Sequence, residues 1–238
     1  MRYVDRTFPT PEHNLACDEA LLELCEAGGA PVLRVWEPAA PFVVLGYASP
    51  SAADVDLAAC RARRIPVLRR ISGGGTVVQG PGVLNFSVVL PLSAARELRT
   101  ITGTTRYVLH RHRDALQPLL SQPVALEGLS DLTLNGRKFA GHAQRRRGQH
   151  VLFHGSLLLA ADLRLIEQVL RLPGRQPAYR AGRSHADFLA NLPLPADIVK
   201  AALQHAWGAT EHAVRLPDDR IDALVAQHYA LDAWNYRF

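Results

Sequence analysis

The sequence predicts an α+β fold, a mixed and largely antiparallel sheet flanked by helices, and three observations lead there. Short β-branched and aromatic runs arrive in hairpin-like and meander-like groups, with helical stretches between the groups. The strongest turn signal, Asn135-Gly136, sits between two strand-like runs, and both residue types tolerate the positive φ of a tight hairpin. Strand and helix do not alternate in the regular way that a doubly wound parallel sheet requires.

Taken in order, Thr10 reads as an N-cap and Pro11 as the first helical position. Leu15, Leu21, Leu22 and Leu24 supply the apolar face before Gly28-Gly29 stops the helix. Pro31 to Trp36 and Phe42 to Tyr47 read as a pair of strands joined through Glu37, Pro38 and Pro41. Residues 52–64 read as a helix leading into a strand from Val67 to Ile71, which runs into glycine. Val83 to Leu92 returns to a strand pattern, and 100–120 reads as a long helix. Asp131 to Leu134, Lys138 to Gln144 and Val151 to Leu159 form three strands with turns at Asn135-Gly136 and Arg147-Gly148. Helical stretches at 163–170, 196–207 and 218–229 follow, around a polar, Arg-rich connector from Arg171 to His185. No repeat, long linker or domain boundary interrupts the 238 residues, so one domain is expected.

Composition narrows the function classes. At 48% apolar and 21% charged, the chain is globular and large enough to need no disulfide or structural metal. Cys17, Cys25 and Cys60 form no metal-binding spacing, and no apolar run has the length of a membrane span or signal peptide, so the expected setting is the cytoplasm with no membrane partner. The net charge of +5 admits nucleic acid, but 25 of the 27 basic residues are Arg, a skew that reads as coding bias, and no nucleic-acid partner is expected. The two lysines, Lys138 and Lys200, then stand out as positions where ammonium is kept against that bias.

Ser72 to Gly82 holds five glycines in eleven residues. In Arg69-Arg70-Ile71-Ser72-Gly73-Gly74-Gly75-Thr76-Val77-Val78-Gln79, three successive glycines let a ligand lie against bare backbone whose N–H groups point at an anion, and two arginines supply charge that pairs with phosphate. Neither a P-loop nor a Rossmann fingerprint is present. The plain alternative is a glycine-rich turn with an exposed Arg pair. A second stretch, Asn135 to Gln144, places Lys138 just past a tight turn, where it serves either as a point charge in a cleft or as a solvated hairpin lysine.

Together these stretches resemble the lipoate-protein ligase A family, within the wider group of biotin and lipoate ligases and octanoyltransferases. The family pattern RRxSGGGxVxH is met by Arg69 to Gln79, GxxNxS by Gly82 to Ser87, the N/D-G-x-K-x-x-G-x-A strand by Asn135 to Ala143, and HGxLL by His154 to Leu158. Asn14 to Leu22 is similar to the family's first helix. The resemblance implies a catalytic domain like those of class II aminoacyl-tRNA synthetases and biotin ligases, occupying 1–238 without the additional C-terminal domain of longer ligases. It implies ATP-dependent activation of lipoate or octanoate to acyl-AMP, with Mg²⁺, and transfer to a lysine of a lipoyl carrier domain, either glycine cleavage H protein or a 2-oxoacid dehydrogenase E2. A separate accessory subunit is then a possible partner.

By the same resemblance Lys138 is the catalytic clamp on carboxylate and phosphate. The nucleotide is held by Arg70, Ser72, Gly74, Gly75, Thr76, Val77, Val78, Gln79, Asp131 and Ala143, and Asp131 holds Mg²⁺ or the acceptor's amine. Trp36, Phe42 and Val77 are candidates for the acyl slot, with plain core as the alternative. Gln79 replaces the family's histidine and cannot titrate. Two rivals remain: an acyltransferase working from a carrier thioester, and a non-catalytic carrier-binding protein of the same fold. By the resemblance, octanoyltransferases of this fold work through a cysteine, so the first rival is cysteine-independent or uses a helix cysteine: the stretch Glu127 to Asp131, where one transferase branch carries its nucleophile, reads Glu-Gly-Leu-Ser-Asp, and Cys17 and Cys25 read as core. His154 reads as a packed strand histidine, Arg145 to Arg147 as a solvated hairpin tip, and Arg175, Arg180, Arg183 and His185 as part of a loop able to dock an acidic carrier or close over ligand.

Overall fold

The computed structural model describes residues 1–212 and 215–238. Ten strands form two sheets: β1 (Arg2–Asp5), β2 (Val32–Trp36), β3 (Phe42–Leu45), β4 (Val67–Arg69), β5 (Val77–Gln79), β6 (Val83–Pro91), β7 (Val124–Glu127), β8 (Asp131–Leu134), β9 (Arg137–Arg147) and β10 (His150–Leu158). The larger sheet runs β1-β2-β6-β10-β9-β8-β7, antiparallel except for β1 on β2; the smaller runs β4-β3-β5. The helices are α1 (Pro11–Glu26), α2 (Ser51–Asp54), α3 (Leu57–Ala62), α4 (Ile101–Leu116), α5 (Leu163–Val169), α6 (His185–Phe188), α7 (Ala196–Trp207), α8 (Asp218–Leu224) and α9 (Asp232–Asn235). This is the expected α+β architecture. Among the described residues no helix is long and apolar enough to cross a membrane.

Three apolar clusters follow from the layering. Helices α4 and α7 cover one face of the large sheet, packing Val108, Leu109, Leu203 and Trp207 against Phe86, Phe139 and Phe153. Helix α1 lies over Val89 and Leu152 on the same sheet and meets Val44 and Leu68 of the small one, with α8 outside it. The third cluster packs α5 and α6 on Val43, Val67 and Val78. Helix α1 starts as its sequence demands: the Thr10 hydroxyl accepts from His13 N–H, and Pro11 occupies the first turn.

Several elements differ from the sequence expectation. β2 and β3 do not pair with each other; β2 joins the large sheet and β3 the small one, with Trp36 stacked on Phe42 across the crossover. Both strands are buried on both faces, so alternation carries no information on which sheet each enters. The helix expected over 52–64 is two short helices. Val55 between them is extended and bridges Leu170, and Asp56 caps α3 by accepting from Ala59 N–H. Strands β1, β5 and β7, three or four residues each, carry too little pattern to be read.

Arg69 is not an exposed phosphate ligand. Its fully buried guanidinium donates to the carbonyls of Gly46, Tyr47, Ser49, Trp234 and Asn235, while its N–H donates to Asn235 Oδ1 and its carbonyl accepts from Trp234 Nε1. It ties α9 to the base of the glycine bend. Replacing Arg69 with Ala leaves these buried carbonyls unpaired and should cost roughly 3 kcal/mol or more in urea denaturation; a loss below about 1 kcal/mol contradicts the clamp. A second expectation concerns His112 on α4 and His142 on β9, which approach through Phe86. Burial drives both imidazoles down, His142 from 6.5 to about 4. A folded value below the unfolded one means that unfolding takes up protons, so this contribution is whole above pH 6.5 and is lost as pH falls towards 4. Melting temperature should decline through that window, and less steeply in His142→Asn.

Candidate active site

β4 delivers the chain into the glycine bend, where Arg70 turns inward from the neighbouring position. Its Nε donates to Ser72 Oγ (3.0 Å), and its terminal nitrogens donate to the carbonyls of Gly73 (2.6 Å), Gly75 (2.8 Å) and Val44 (3.4 Å). Burial lowers its pKa to about 10, which leaves the guanidinium charged at neutral pH. The grip draws the Gly73 and Gly75 carbonyls toward the arginine. Among the described residues, no protein group accepts from the amides of Gly73, Gly74, Gly75 or Thr76. Gly74 has φ +86, and a Cβ there would stand 3.0 Å from Arg70 and 3.5 Å from the Ala143 methyl, so bend and β9 touch at this point.

β9 reaches the bend from the hairpin at Asn135-Gly136, both at positive φ. A register shift against β8 leaves Phe139 as an extra residue, buried in the core. Lys138 lies along Gly141, where a Cβ would stand 2.8 Å from both Cε and Nζ. Its ammonium pairs with Asp131 Oδ1 at 2.7 Å, and Asp131 Oδ2 accepts from the Tyr179 hydroxyl at 2.7 Å. Burial, reinforced by Asp131, raises the Tyr179 pKa, so the phenol remains a donor.

Two cavities meet here. The inner one, about 170 Å³, has Leu15, Trp36, Val44 and Phe86 as apolar wall; the outer one, about 260 Å³, lies under the connector and contains Arg171, Arg175 and Arg180. Gly75, Thr76, Val77, Lys138, Gly141 and Ser156 line both. Of the residues singled out in the sequence, Arg70, Gly74, Gln79 and Ala143 line the inner cavity only, Val78 and Asp131 the outer only, and Ser72 is buried behind the wall. Trp36 and Val77 line the inner cavity as expected for an acyl slot; Phe42 is core behind Trp36.

Gln79 closes a ring of side chains, donating to Ser156 Oγ and accepting from Asn85, while Ser156 donates to Asn85 Oδ1. The connector covers the outer cavity rather than standing free. Arg180 and His185 are buried, Arg183 donates to the carbonyls of Gly136 and Tyr179, and one terminal nitrogen of Arg180 is buried with no protein partner. Cys17, Cys25 and Cys60 are buried and line neither cavity, and burial pushes the first two thiols up to about 11. Lys200 pairs with Asp5 on the surface.

His154 is not simply packed: its Nε2 lies 2.5 Å from Ser72 Oγ and its Nδ1 3.1 Å from Asp18 Oδ2. Asp18 also receives Arg34 (2.6 Å) and Ser87 (2.7 Å). Its burial works against ionisation, but Arg34, then His154 and Ser87, outweigh it and hold the carboxyl below its usual range. The four-residue spacing of Asn14 and Asp18, which places both on Arg34, was the signal available in the sequence.

Among the described residues, no three His, Cys, Asp or Glu side chains gather in ligating geometry, and the cavity carboxylates Asp18, Asp54 and Asp131 are each engaged, Asp54 by the Thr76 hydroxyl.

Residues 10–203 match the model of the lipoyl protein ligase A/B catalytic domain. A protein of Aeropyrum pernix named as a lipoate-protein ligase A is 33% identical over 159 residues, 66% of this chain but only 56% of that one, so the match spans little more than half of that relative. The octanoyltransferase LipM of Symbiobacterium thermophilum is 31% identical over 269 aligned positions, covering 96% of this chain and 95% of its own. In fold, a bi-partite lipoate protein ligase of Thermoplasma acidophilum, solved with its E2 lipoyl domain, superposes with a TM-score of 0.84 at 24% identity, over 99% of this chain and 95% of the other. From the matched span and from the full-length similarity, the chain belongs to the lipoyl protein ligase A/B catalytic domain family.

Proposed function

We propose that the protein is an acid-AMP-forming ligase that activates lipoate or octanoate with ATP and passes the acyl group to a lysine of a lipoyl carrier domain. The observation that carries this reading is the shared wall: an apolar-walled cavity and an arginine-bearing cavity meet at Lys138 and the glycine bend. The acyl tail occupies the inner space and the nucleotide the outer. The carboxylate then faces the α-phosphate across Gly75 to Val77, an oxygen–phosphorus bond forms, and pyrophosphate leaves. Two anions must approach for this, and an ammonium at their junction with unengaged amides beside it offsets the repulsion without reorganisation. In the second step the carrier amine attacks the acyl carbon and AMP departs. Magnesium enters with ATP as part of the substrate, held through the phosphates.

Arg171, Arg175 and Arg180 on the wall of the outer cavity support an anion there, because they supply the positive charge that phosphate oxygens would meet. The solved lipoate-protein ligase A with bound ATP, of TM-score 0.79, supports the nucleotide assignment, and the bi-partite ligase with its E2 lipoyl domain supports both a lipoyl carrier and a separate accessory chain. A thioester route through cysteine is disfavoured, since all three thiols are buried and none lines either cavity. We place the reaction in the cytoplasm.

Incubation with lipoate and Mg-ATP should yield lipoyl-AMP and pyrophosphate; acyl movement only from a carrier thioester would replace the reading with a transferase, and binding without turnover would make the protein a binder. Lys138→Arg should lower adenylate formation by roughly 10²–10³-fold with the fold intact, and unchanged turnover would remove Lys138 from the mechanism. Gly141→Ala should displace the Lys138 side chain and lower the same rate. Arg180→Ala should raise the KM for ATP about tenfold, and an unaltered KM would take the outer arginine away from the nucleotide.

A further inference from the structure

Asp18, His154 and Ser72 lie on α1, β10 and the bend, elements far apart in sequence, yet they form one buried chain that ends on Arg70. Their polarity is fixed by what stands at each end. Asp18 is an ionised acceptor already holding Arg34 and Ser87, so in the Nδ1–H tautomer the imidazole donates to Asp18. Nε2 is then an acceptor, and the Ser72 hydroxyl donates to it at 2.5 Å. That leaves a Ser72 oxygen lone pair for Arg70 Nε–H, whose guanidinium in turn grips the carbonyls of Gly73 and Gly75.

We propose that Asp18 and His154 are positioning residues for acyl activation: by holding the Ser72 hydroxyl in the accepting orientation for Arg70, they lock the glycine bend with its amides turned to the anion. This rests on the ligase reading for its consequence in catalysis, though not for the bend geometry itself. The charged and titratable groups facing the ring are Asp18 from α1, Arg34 of β2 behind Asp18, Arg70 from the bend and His142 from β9. Asp18 is a poor position to vary, since its loss strands buried Arg34. His154→Asn and Ser72→Ala interrupt the chain without doing so.

The test has two arms on the full chain. By ¹⁵N NMR, His154 should be the Nδ1–H tautomer, and the Arg70 Nε–H should exchange with solvent at least tenfold faster in both variants. In the activity arm, lipoate-dependent pyrophosphate release should lose about tenfold in kcat with the KM for the carrier domain unchanged. A His154→Asn protein with wild-type Arg70 exchange and kcat overturns the proposal and makes the histidine a packing residue. If wild-type protein forms no adenylate, the ligase reading fails, and the NMR arm alone decides for or against the positioning chain.

Discussion

Two adjacent arginines with opposite duties organise this molecule. Neighbouring positions on a strand point to opposite sides, so Arg69 at the end of β4 faces the C-terminal segment and Arg70 faces the bend. Each replaces water by backbone carbonyls, the cheapest buried partners for a planar set of five donors. One anchors the bend's root and the other shapes its tip, and the cavity wall shared with Lys138 depends on both. Lysine in either place has neither the fork nor the reach to bind several carbonyls at once.

The part of the fold legible in the sequence was the part encoded locally. The cap at Thr10, the turn at Asn135-Gly136 and the long helices are each set by chemistry within a few residues. What escaped was decided across the chain: whether β2 meets β3 depends on two sheets competing for doubly buried strands, and Val55 leaves helical geometry because Leu170 offers it a bridge. Strands of three or four residues carry too short a pattern to register.

The site divides in the same way. The glycines, Arg70, Lys138 and Asp131 stood in contiguous motifs, and the structure brings them to one pair of joined cavities. Arg69 was misjudged because its partners, Trp234 and Asn235, lie about 165 positions away. His154 was misjudged because its partners come from two other elements. An arginine beside a glycine-rich bend reads as ligand-facing and a strand histidine without a local partner reads as packing; here the first holds backbone carbonyls and the second bridges a serine and an aspartate.

The bond network from Arg69 to α9 also bears on how the molecule assembles. Residues 69 and 235 must meet before the root of the bend is pinned, a closure that spans most of the described chain. The root of the bend is thus held by contacts of high sequence separation, whose closure entropy its many carbonyl bonds must offset.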